Sequence, residues 1–239
     1  MIWNMPTSKL AAALQSIDWN KNVATFLSDK KATQQLADAN LRLAVWSRQF
    51  EITDHGNPAL CFVREMQVSG HQVAALAALA LYKSAAASMR AMFETALYYS
   101  YFRTHLSELA TLVRDKAFYV EKRELIEYHK RHTVRFIELE RALGVLSRLD
   151  KWYSLVSSVI HGQVPGKWAA HASLSEIKPH PATQELAIQT FVEGVDIVHR
   201  LFLCTVGQDL WDGFSAPSKK ELLAGLHGDI KKVLRLDAA

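Results

Sequence analysis

Thirty consecutive residues, 73–102, contain neither glycine nor proline and are rich in alanine, leucine and methionine. A helix with that composition is apolar on nearly all sides, which is typical of a helix buried at the centre of a protein. No stretch of the chain alternates convincingly between polar and apolar residues, as a half-buried strand would. The stretch therefore predicts a central apolar helix against which the rest of the chain packs.

The remaining sequence also has helical periodicity, with recognisable starts and stops. Asn57 followed by Pro58 is a typical helix start, and Ser69–Gly70 indicates a bend or a break. We expect the other helices over about 8–17, 29–50, 58–68, 115–143, 147–161 and 183–208, with shorter helices beginning near 107 and 218. The pattern predicts an all-α protein, a bundle of seven to nine helices with the apolar helix at its centre.

We find no internal repeat and no flexible linker, so the sequence predicts a single helical domain over 1–239. Its expected parts are N-terminal flanking helices in 1–53, a central bundle in 58–161, a long loop in 162–182 and C-terminal helices in 183–239. Loops of that length within a compact domain are usually functional or flexible, so the loop is of interest in its own right.

The composition of the chain says more about its cellular compartment than about its function. The chain has 28 basic and 24 acidic residues, a net charge of +4, which permits contact with nucleic acid without requiring it. Two isolated cysteines indicate a reducing compartment, and no run of apolar residues is long enough to cross a membrane. With no signal peptide recognisable at the start, we expect a cytoplasmic protein that does not contact membranes.

The motifs of the common nucleotide-binding, hydrolase and metalloprotease sites are missing from the sequence. It contains no P-loop, no GxGxxG, no GxSxG, no HExxH and no set of zinc ligands. We therefore expect neither a metal nor a cofactor, and candidate chemistry must come from side chains alone.

The first candidate site is a polar stripe on the central apolar helix. Arg90 and Glu94 are four residues apart, so their side chains meet on one face. At helical spacing the stripe also includes Lys83, Ala87, Tyr98 and Tyr101. It is interpreted either as an ion pair that reaches the surface or as a polar pocket lined by an arginine, a carboxylate and phenols.

The second candidate is His161, which ends an apolar helix just before Gly162. A histidine there is favoured by the helix dipole, so it is interpreted either as a capping residue or as a general acid or base. Ser157 lies one turn earlier on the same face and would contact a substrate in the second interpretation.

The third candidate is the charged segment from 114 to 135, which has a net charge of +3 and interleaved tyrosines. Arg123, His129, Lys130 and Arg131 could follow a phosphate backbone, although a solvated face with internal ion pairs is the alternative. In the long loop, Trp168 could stack on a ligand or fill a gap in the bundle, and His171 and His180 lie in the same segment.

Two blocks of the sequence resemble a known family. Residues 82–96, with Arg-x-x-x-Glu, are followed about sixty residues later by Tyr153–Ser154 and His161–Gly162. Over about residues 60–165 this order resembles the HEPN-like helical proteins of prokaryotes. The resemblance implies a helical bundle, often dimeric, and in many members a metal-independent ribonuclease of toxin–antitoxin or phage-defence systems. Other members have lost catalysis and only bind.

The ribonuclease motif of that family is an arginine followed, after four to six residues, by a histidine. Before His161 the corresponding positions hold Ser154, Leu155 and Val156. The spacing occurs instead at Arg48/His55, Arg64/His71 and Arg123/His129, but one or two such pairs are expected by chance, so these three mean little. The resemblance therefore requires Arg90 to supply the missing guanidinium from another helix.

Two functional hypotheses follow. In the first, the chain is an RNA-directed ribonuclease toxin or defence effector in which His161, Arg90 and Glu94 are catalytic, with Ser157, Tyr98, Arg123, His129, Lys130 and Arg131 binding substrate. In the second, it is a non-catalytic helical module that binds a partner protein or nucleic acid. Expected partners are RNA, an antitoxin or a defence-complex protein, and a second copy of the chain. A weaker third hypothesis is a small ligand bound along the Tyr98 and Tyr101 stripe.

Overall fold

The computed structural model describes residues 5–163, 166, 168, 171 and 173–236. Within these residues every regular element is a helix, which confirms the predicted all-α class. The α-helices are α1 Met5–Gln15, α2 Trp19–Ser28, α3 Lys30–Thr53, α4 Leu60–Ala78, α5 Tyr82–Phe102, α6 Leu106–Arg114, α7 Lys122–His132, α8 Phe136–Leu143, α9 Val145–Ile160, α10 Pro181–Cys204, α11 Val206–Leu210, α12 Ala216–Leu223 and α13 Gly228–Leu234. Two 3₁₀ turns lie at Leu174–Glu176 and Trp211–Gly213.

The number of helices differs from the prediction of seven to nine, because several expected long helices are interrupted. The apolar stretch 73–102 is the clearest case. Ala80 has a left-handed backbone, with φ 62°, and the amide of Leu81 donates a 2.8 Å hydrogen bond to the carbonyl of Leu76. The chain reverses there, and Phe62 near the start of α4 meets Phe102 at the end of α5. Only the last 21 residues of the stretch, Tyr82–Phe102, form the central helix.

The charged segment is also divided. Residues 115–121 lie outside helices, and Arg135, with φ 62°, separates α7 from α8. The guanidinium of Arg135 binds both carboxylate oxygens of Glu138 and donates a 2.6 Å hydrogen bond to the carbonyl of Val233. These contacts hold a backbone conformation that a non-glycine residue adopts only at a cost. The single helix predicted over 115–143 is therefore wrong.

Gly70 does not bend the chain, although the sequence predicts a bend or a break at Ser69–Gly70. It lies inside α4, where a β-carbon would come within 2.7 Å of Leu43 Cδ1 and 2.9 Å of Asn40 Oδ1. The missing side chain lets α4 approach α3 closely. This glycine serves packing between helices and not a turn.

The α5 helix contacts α4, α7, α9 and α10, which places it at the centre of the described fold. Beside it, aromatic rings from α3 and α10 fill the core, with Trp46, Phe50 and Phe202 in mutual contact. The indole of Trp46 donates to His199 Nδ1 at 3.1 Å, so a buried polar pair lies within this aromatic cluster. One continuous set of buried side chains extends from Ile17 to Leu234.

Within the described residues, no helix is both long and apolar enough to span a bilayer.

Candidate functional site

The site is built where α5 packs against α9. Phe93 of α5 contacts the rings of Trp152 and Tyr153 on α9. Trp152 is fixed from the other side, because its indole donates a 2.7 Å hydrogen bond to the carbonyl of Thr190 in α10. A β-carbon on Gly194 would lie 2.6 Å from Trp152 Cζ2, so only glycine leaves room for this ring. The packing sets the position of α9 relative to α5.

Arg90, Glu94 and Tyr153 form a connected polar group on this interface. Arg90 Nε donates to Glu94 Oε1 at 2.8 Å, and the hydroxyl of Tyr153 donates to the same oxygen at 2.6 Å. The Arg90 guanidinium also lies over the Tyr153 ring, 5.0 Å from its centre. The Arg90 and Glu94 side chains are 30% and 35% exposed, so the pair is partly buried and still reaches solvent.

His161 joins this group from the end of α9. The helix closes with Gly162 in a left-handed conformation, φ 67°, and with the amide of Gln163 donating to the carbonyl of Ser158 at 2.8 Å. The His161 side chain remains exposed, and its Nε2 is 3.5 Å from Arg90 Nη1, at the outer limit of a hydrogen bond. Because a guanidinium only donates, the imidazole nitrogen is the acceptor in this contact.

Arg90 and Glu94 also line a groove of about 380 Å³, which we call the tyrosine groove. The other side chains that give it its character are Tyr98, Tyr119, Tyr153, Lys122 and Arg123. The ammonium of Lys122, at the start of α7, lies 4.1 Å from the centre of the Tyr153 ring. Three cations and three phenols therefore face one groove that holds Glu94 and Glu121 as its carboxylates.

Electrostatics keep these groups in defined protonation states. Partial burial opposes the charge of Arg90, but the hydrogen bond and charge of Glu94 together raise its pKa above the ordinary value. Burial, followed by the hydrogen bond to Glu94, raises the pKa of Tyr153 to about 12. Burial and the nearby Glu94 also raise the pKa of Tyr98. At neutral pH the site thus presents a guanidinium and uncharged phenols.

The structure brings the three predicted catalytic residues, Arg90, Glu94 and His161, into one cluster. Of the predicted substrate-binding residues, Tyr98 and Arg123 line the adjoining groove. The hydroxyl of Ser157 is buried and has no hydrogen-bond partner in the described structure.

His129, Lys130 and Arg131 do not line that groove. His129 is buried in the core, where Nε2 lies 2.9 Å from Ser100 Oγ and Nδ1 lies 2.8 Å from Thr133 Oγ1. Burial lowers the pKa of His129 to about 4, so it is neutral at pH 7. Its spacing from Arg123 therefore does not create a shared exposed site.

The other two residues belong to the outer face of α7. Lys130 binds Glu127 at 2.8 Å, and Arg131 lines a shallow depression that also contains Glu121, Glu124 and Glu127. These carboxylates offset the local basic charge. The ion pairs in this part of α7 are those expected if the charged segment is a solvated face and not a surface that follows a phosphate backbone.

In the long loop, Trp168 is buried and contributes to a cavity beside α5, together with His171. His180 instead caps α10, since its Nδ1 accepts from the amide of Thr183 at 3.3 Å. Residues 164, 165, 167, 169, 170 and 172 of the predicted loop lie outside the described residues.

Two site residues were missed by sequence reasoning. Tyr153 precedes His161 by eight residues, two turns on the same helical face, so its spacing could have identified it. Lys122 had no such signal, because it reaches the site only as a result of the non-helical segment 115–121, which separates α6 from α7.

A second polar cluster also went unrecognised. Asp54 Oδ2 accepts hydrogen bonds from Tyr99 at 2.9 Å, Asn57 at 3.1 Å and Arg103 at 3.4 Å. Arg103 binds Asp209 as well, at 2.9 Å, and so connects α5 to α11. Asp54 and Arg103 are largely buried, whereas Asp209 is exposed, and the cluster holds helices together.

In the described part of the chain, no three histidine, cysteine, aspartate or glutamate side chains come together in a way that could hold a metal ion. Comparisons with protein-family models, with curated proteins and with solved structures find no match to this chain.

Proposed function

We propose that this chain is a HEPN-like, metal-independent ribonuclease whose reacting groups are Arg90 and His161. The observation that supports this most directly is the 3.5 Å approach of Arg90 Nη1 to His161 Nε2 at an exposed site. It supplies from two helices the arginine and histidine that the family places on one. Cationic Lys122 and Arg123 beside it are suited to a phosphate backbone.

The proposed reaction needs a base and a group that stabilises negative charge. His161 takes the proton of a ribose 2′-hydroxyl, and that oxygen attacks the adjacent phosphorus. The bond from phosphorus to the 5′ oxygen then breaks, and this oxygen takes a proton from solvent. The products are a 2′,3′-cyclic phosphate and a 5′-hydroxyl. Arg90 donates to the non-bridging oxygens as their negative charge grows.

Glu94 is a positioning residue in this proposal. It accepts from Arg90 Nε on one side and from Tyr153 on the other, which leaves the Nη groups of Arg90 directed to a ligand. An arginine held in this way binds phosphate with a defined orientation.

The biological setting follows from the resemblance and is likewise a proposal. We infer a toxin or an effector of a defence system that acts on RNA in the cytoplasm. We also infer that the chain pairs with a second copy of itself, as the resemblance implies. An antitoxin or a defence-complex protein would then regulate cleavage.

The test is cleavage of total RNA and of tRNA in the presence of EDTA. We expect His161→Ala and Arg90→Lys each to lower the rate at least a hundredfold, roughly the loss expected when one charge-stabilising group is removed. His71→Ala and Arg64→Lys are matched controls, because His71 is exposed and Arg64 forms a similar pair with Glu51. Cleavage that survives in both site variants would refute the proposal.

Binding without cleavage is the second candidate function. It is favoured by Glu94, which already offsets the charge of Arg90, and by His161 at the helix end, where a purely structural role is sufficient. This alternative predicts that the protein retains RNA or a partner protein and leaves RNA intact.

A further inference from the structure

A second cavity lies one helical turn from the Arg90 and His161 contact. It has a volume of about 370 Å³, within the range of small-ligand sites, and its lining is mainly apolar. The side chains that matter for its chemistry are Tyr82, Lys83, Ala87, Ile160, Trp168 and His171. Ala87 precedes Arg90 by one turn of α5, about 4.5 Å along the helix axis, and Ile160 directly precedes His161.

The walls of this cavity suit a flat aromatic ligand. Tyr82 and Trp168 are both nearly enclosed by protein, 4% and 3% exposed, and each contributes to the lining. The indole Nε1 of Trp168 is buried and has no hydrogen-bond partner in the described structure. Leaving such a donor unpaired is unfavourable, so a ligand with acceptors at the edge of its ring would provide what the protein lacks.

The mouth of the cavity carries positive charge. Lys83 forms no ion pair within the described residues, and its ammonium lies beside Gly162, where a β-carbon would be 3.9 Å from Nζ. The cation therefore lies between the aromatic cavity and the residue that follows His161. A planar ring inside and a phosphate outside is the arrangement of a nucleotide unit in single-stranded nucleic acid.

We propose that this cavity is a base pocket, which receives one nucleobase of the RNA whose adjoining phosphodiester lies against Arg90 and His161. The proposal rests on the proposed function and specifies its substrate: a single-stranded RNA in which one base is unstacked. Paired RNA would not fit, because its bases are stacked on their neighbours.

The experiment measures binding of a short single-stranded 2′-O-methyl RNA, which cannot be cleaved because its 2′-oxygen is blocked. The RNA is compared with versions in which each nucleotide in turn lacks its base. We expect one abasic position to weaken binding about tenfold, as loss of a stacked base does. Equal affinity for every version would overturn the base pocket.

Ala87→Phe fills the cavity from an exposed helix position, and Ala75→Phe places the same side chain on exposed α4 outside it. We expect Ala87→Phe to bind the intact RNA about tenfold more weakly than the wild type does, and to bind the intact and the abasic RNA equally well. Ala75→Phe should behave as the wild type. Thermal melting checks that both variants fold, and Ala87→Leu serves as a smaller filling if the phenylalanine prevents folding. A filled variant that still responds to the abasic position would also overturn the proposal.

Cleavage of unmodified RNA by the wild type and by His161→Ala separates this inference from the proposed function. A protein that senses the missing base and never cleaves retains the base pocket and is not a ribonuclease. A protein that cleaves through His161 without sensing any base is a ribonuclease without this pocket. A protein that binds no RNA has neither.

Discussion

Tyr153 donates its hydroxyl hydrogen to Glu94 Oε1, the same carboxylate oxygen that accepts from Arg90 Nε. A residue of α9 and a residue of α5 therefore share one acceptor, which lies fifty-nine positions from Tyr153 in sequence. The position of Arg90 thus depends on how α9 packs. A change in Arg90 or in Tyr153 alters the hydrogen bonding of the other through Glu94.

Replacing the shared acceptor tests this dependence. Glu94→Gln keeps the shape of the side chain but removes the charge that holds Arg90, so we expect cleavage to fall about ten- to a hundredfold through lost orientation. Most of the loss should appear in kcat, with little change in Tm, since surface pairs contribute about 1 kcal/mol or less. Glu51→Gln, which breaks the exposed pair with Arg64, is the matched control. An unchanged kcat in Glu94→Gln would argue against a positioning role.

Lys122 should act through charge and not through chemistry. Its ammonium lies over Tyr153 at the edge of the tyrosine groove, so Lys122→Ala is expected to weaken RNA binding at all sequences alike. The slope of log Kd against log salt should decrease by about 1, which corresponds to one lost phosphate contact. Lys130→Ala, on the outer face of α7 and bound to Glu127, should leave the slope unchanged. Equal slopes in wild type and Lys122→Ala would place the RNA elsewhere.

Packing between α9 and α10 can be tested without touching the site. Gly194→Ala forces a β-carbon against Trp152, so we expect a loss of about 1–3 kcal/mol of stability from overpacking. Because the displaced helix carries Tyr153 and His161, cleavage should fall as well. Gly228→Ala adds the same methyl group where nothing lies within 4 Å and should change neither property. A Gly194→Ala protein with wild-type Tm and cleavage would show that α9 is not fixed in this way.

Acid should destabilise the fold through His129. The folded pKa of about 4 lies below the usual value near 6.5, because burial disfavours the charged ring. Between these values the unfolded chain takes up a proton and the folded chain does not, so stability falls as the pH drops from 6.5 towards 4. Protonation of this group in the unfolded chain lowers the free energy of unfolding by about 3 kcal/mol over that pH range.

Urea unfolding measured across that pH range checks this expectation. His129→Gln should be less stable than wild type at pH 7, because it disturbs the contacts to Ser100 and Thr133, yet it should show a shallower decline with acid. Buried His199 remains in both proteins and provides the residual slope. Identical slopes of unfolding free energy against pH in the wild type and in His129→Gln would mean that His129 does not control acid stability.

The helical class and the pairing of Arg90 with Glu94 were predictable because both depend on local spacing. Asp29 as the start of α3 and Gly162 after α9 were likewise readable from the sequence. The approach of His161 to Arg90 was expected only from the resemblance, since no local rule connects residues so far apart.

The reversal at Ala80 and the break at Arg135 could not be predicted, because neither residue favours a left-handed backbone. Contacts distant in sequence accompany both: α4 and α5 pack against each other on either side of Ala80, and Arg135 is held by its bonds to Glu138 and to the carbonyl of Val233. The burial of His129 has the same origin. Its sequence neighbourhood is charged, and only the packing of α7 on α5 shows that this face is internal.

The double hydrogen bond at Glu94 has a consequence for the entropy of binding. A free arginine loses about 0.5–1.5 kcal/mol of side-chain freedom when a ligand immobilises it. Arg90 has already lost much of that freedom on folding, whereas exposed His161 retains its own. In the proposed complex with RNA, Arg90 is therefore ordered in advance, and the entropic cost of binding a phosphate falls mainly on the imidazole and on the RNA.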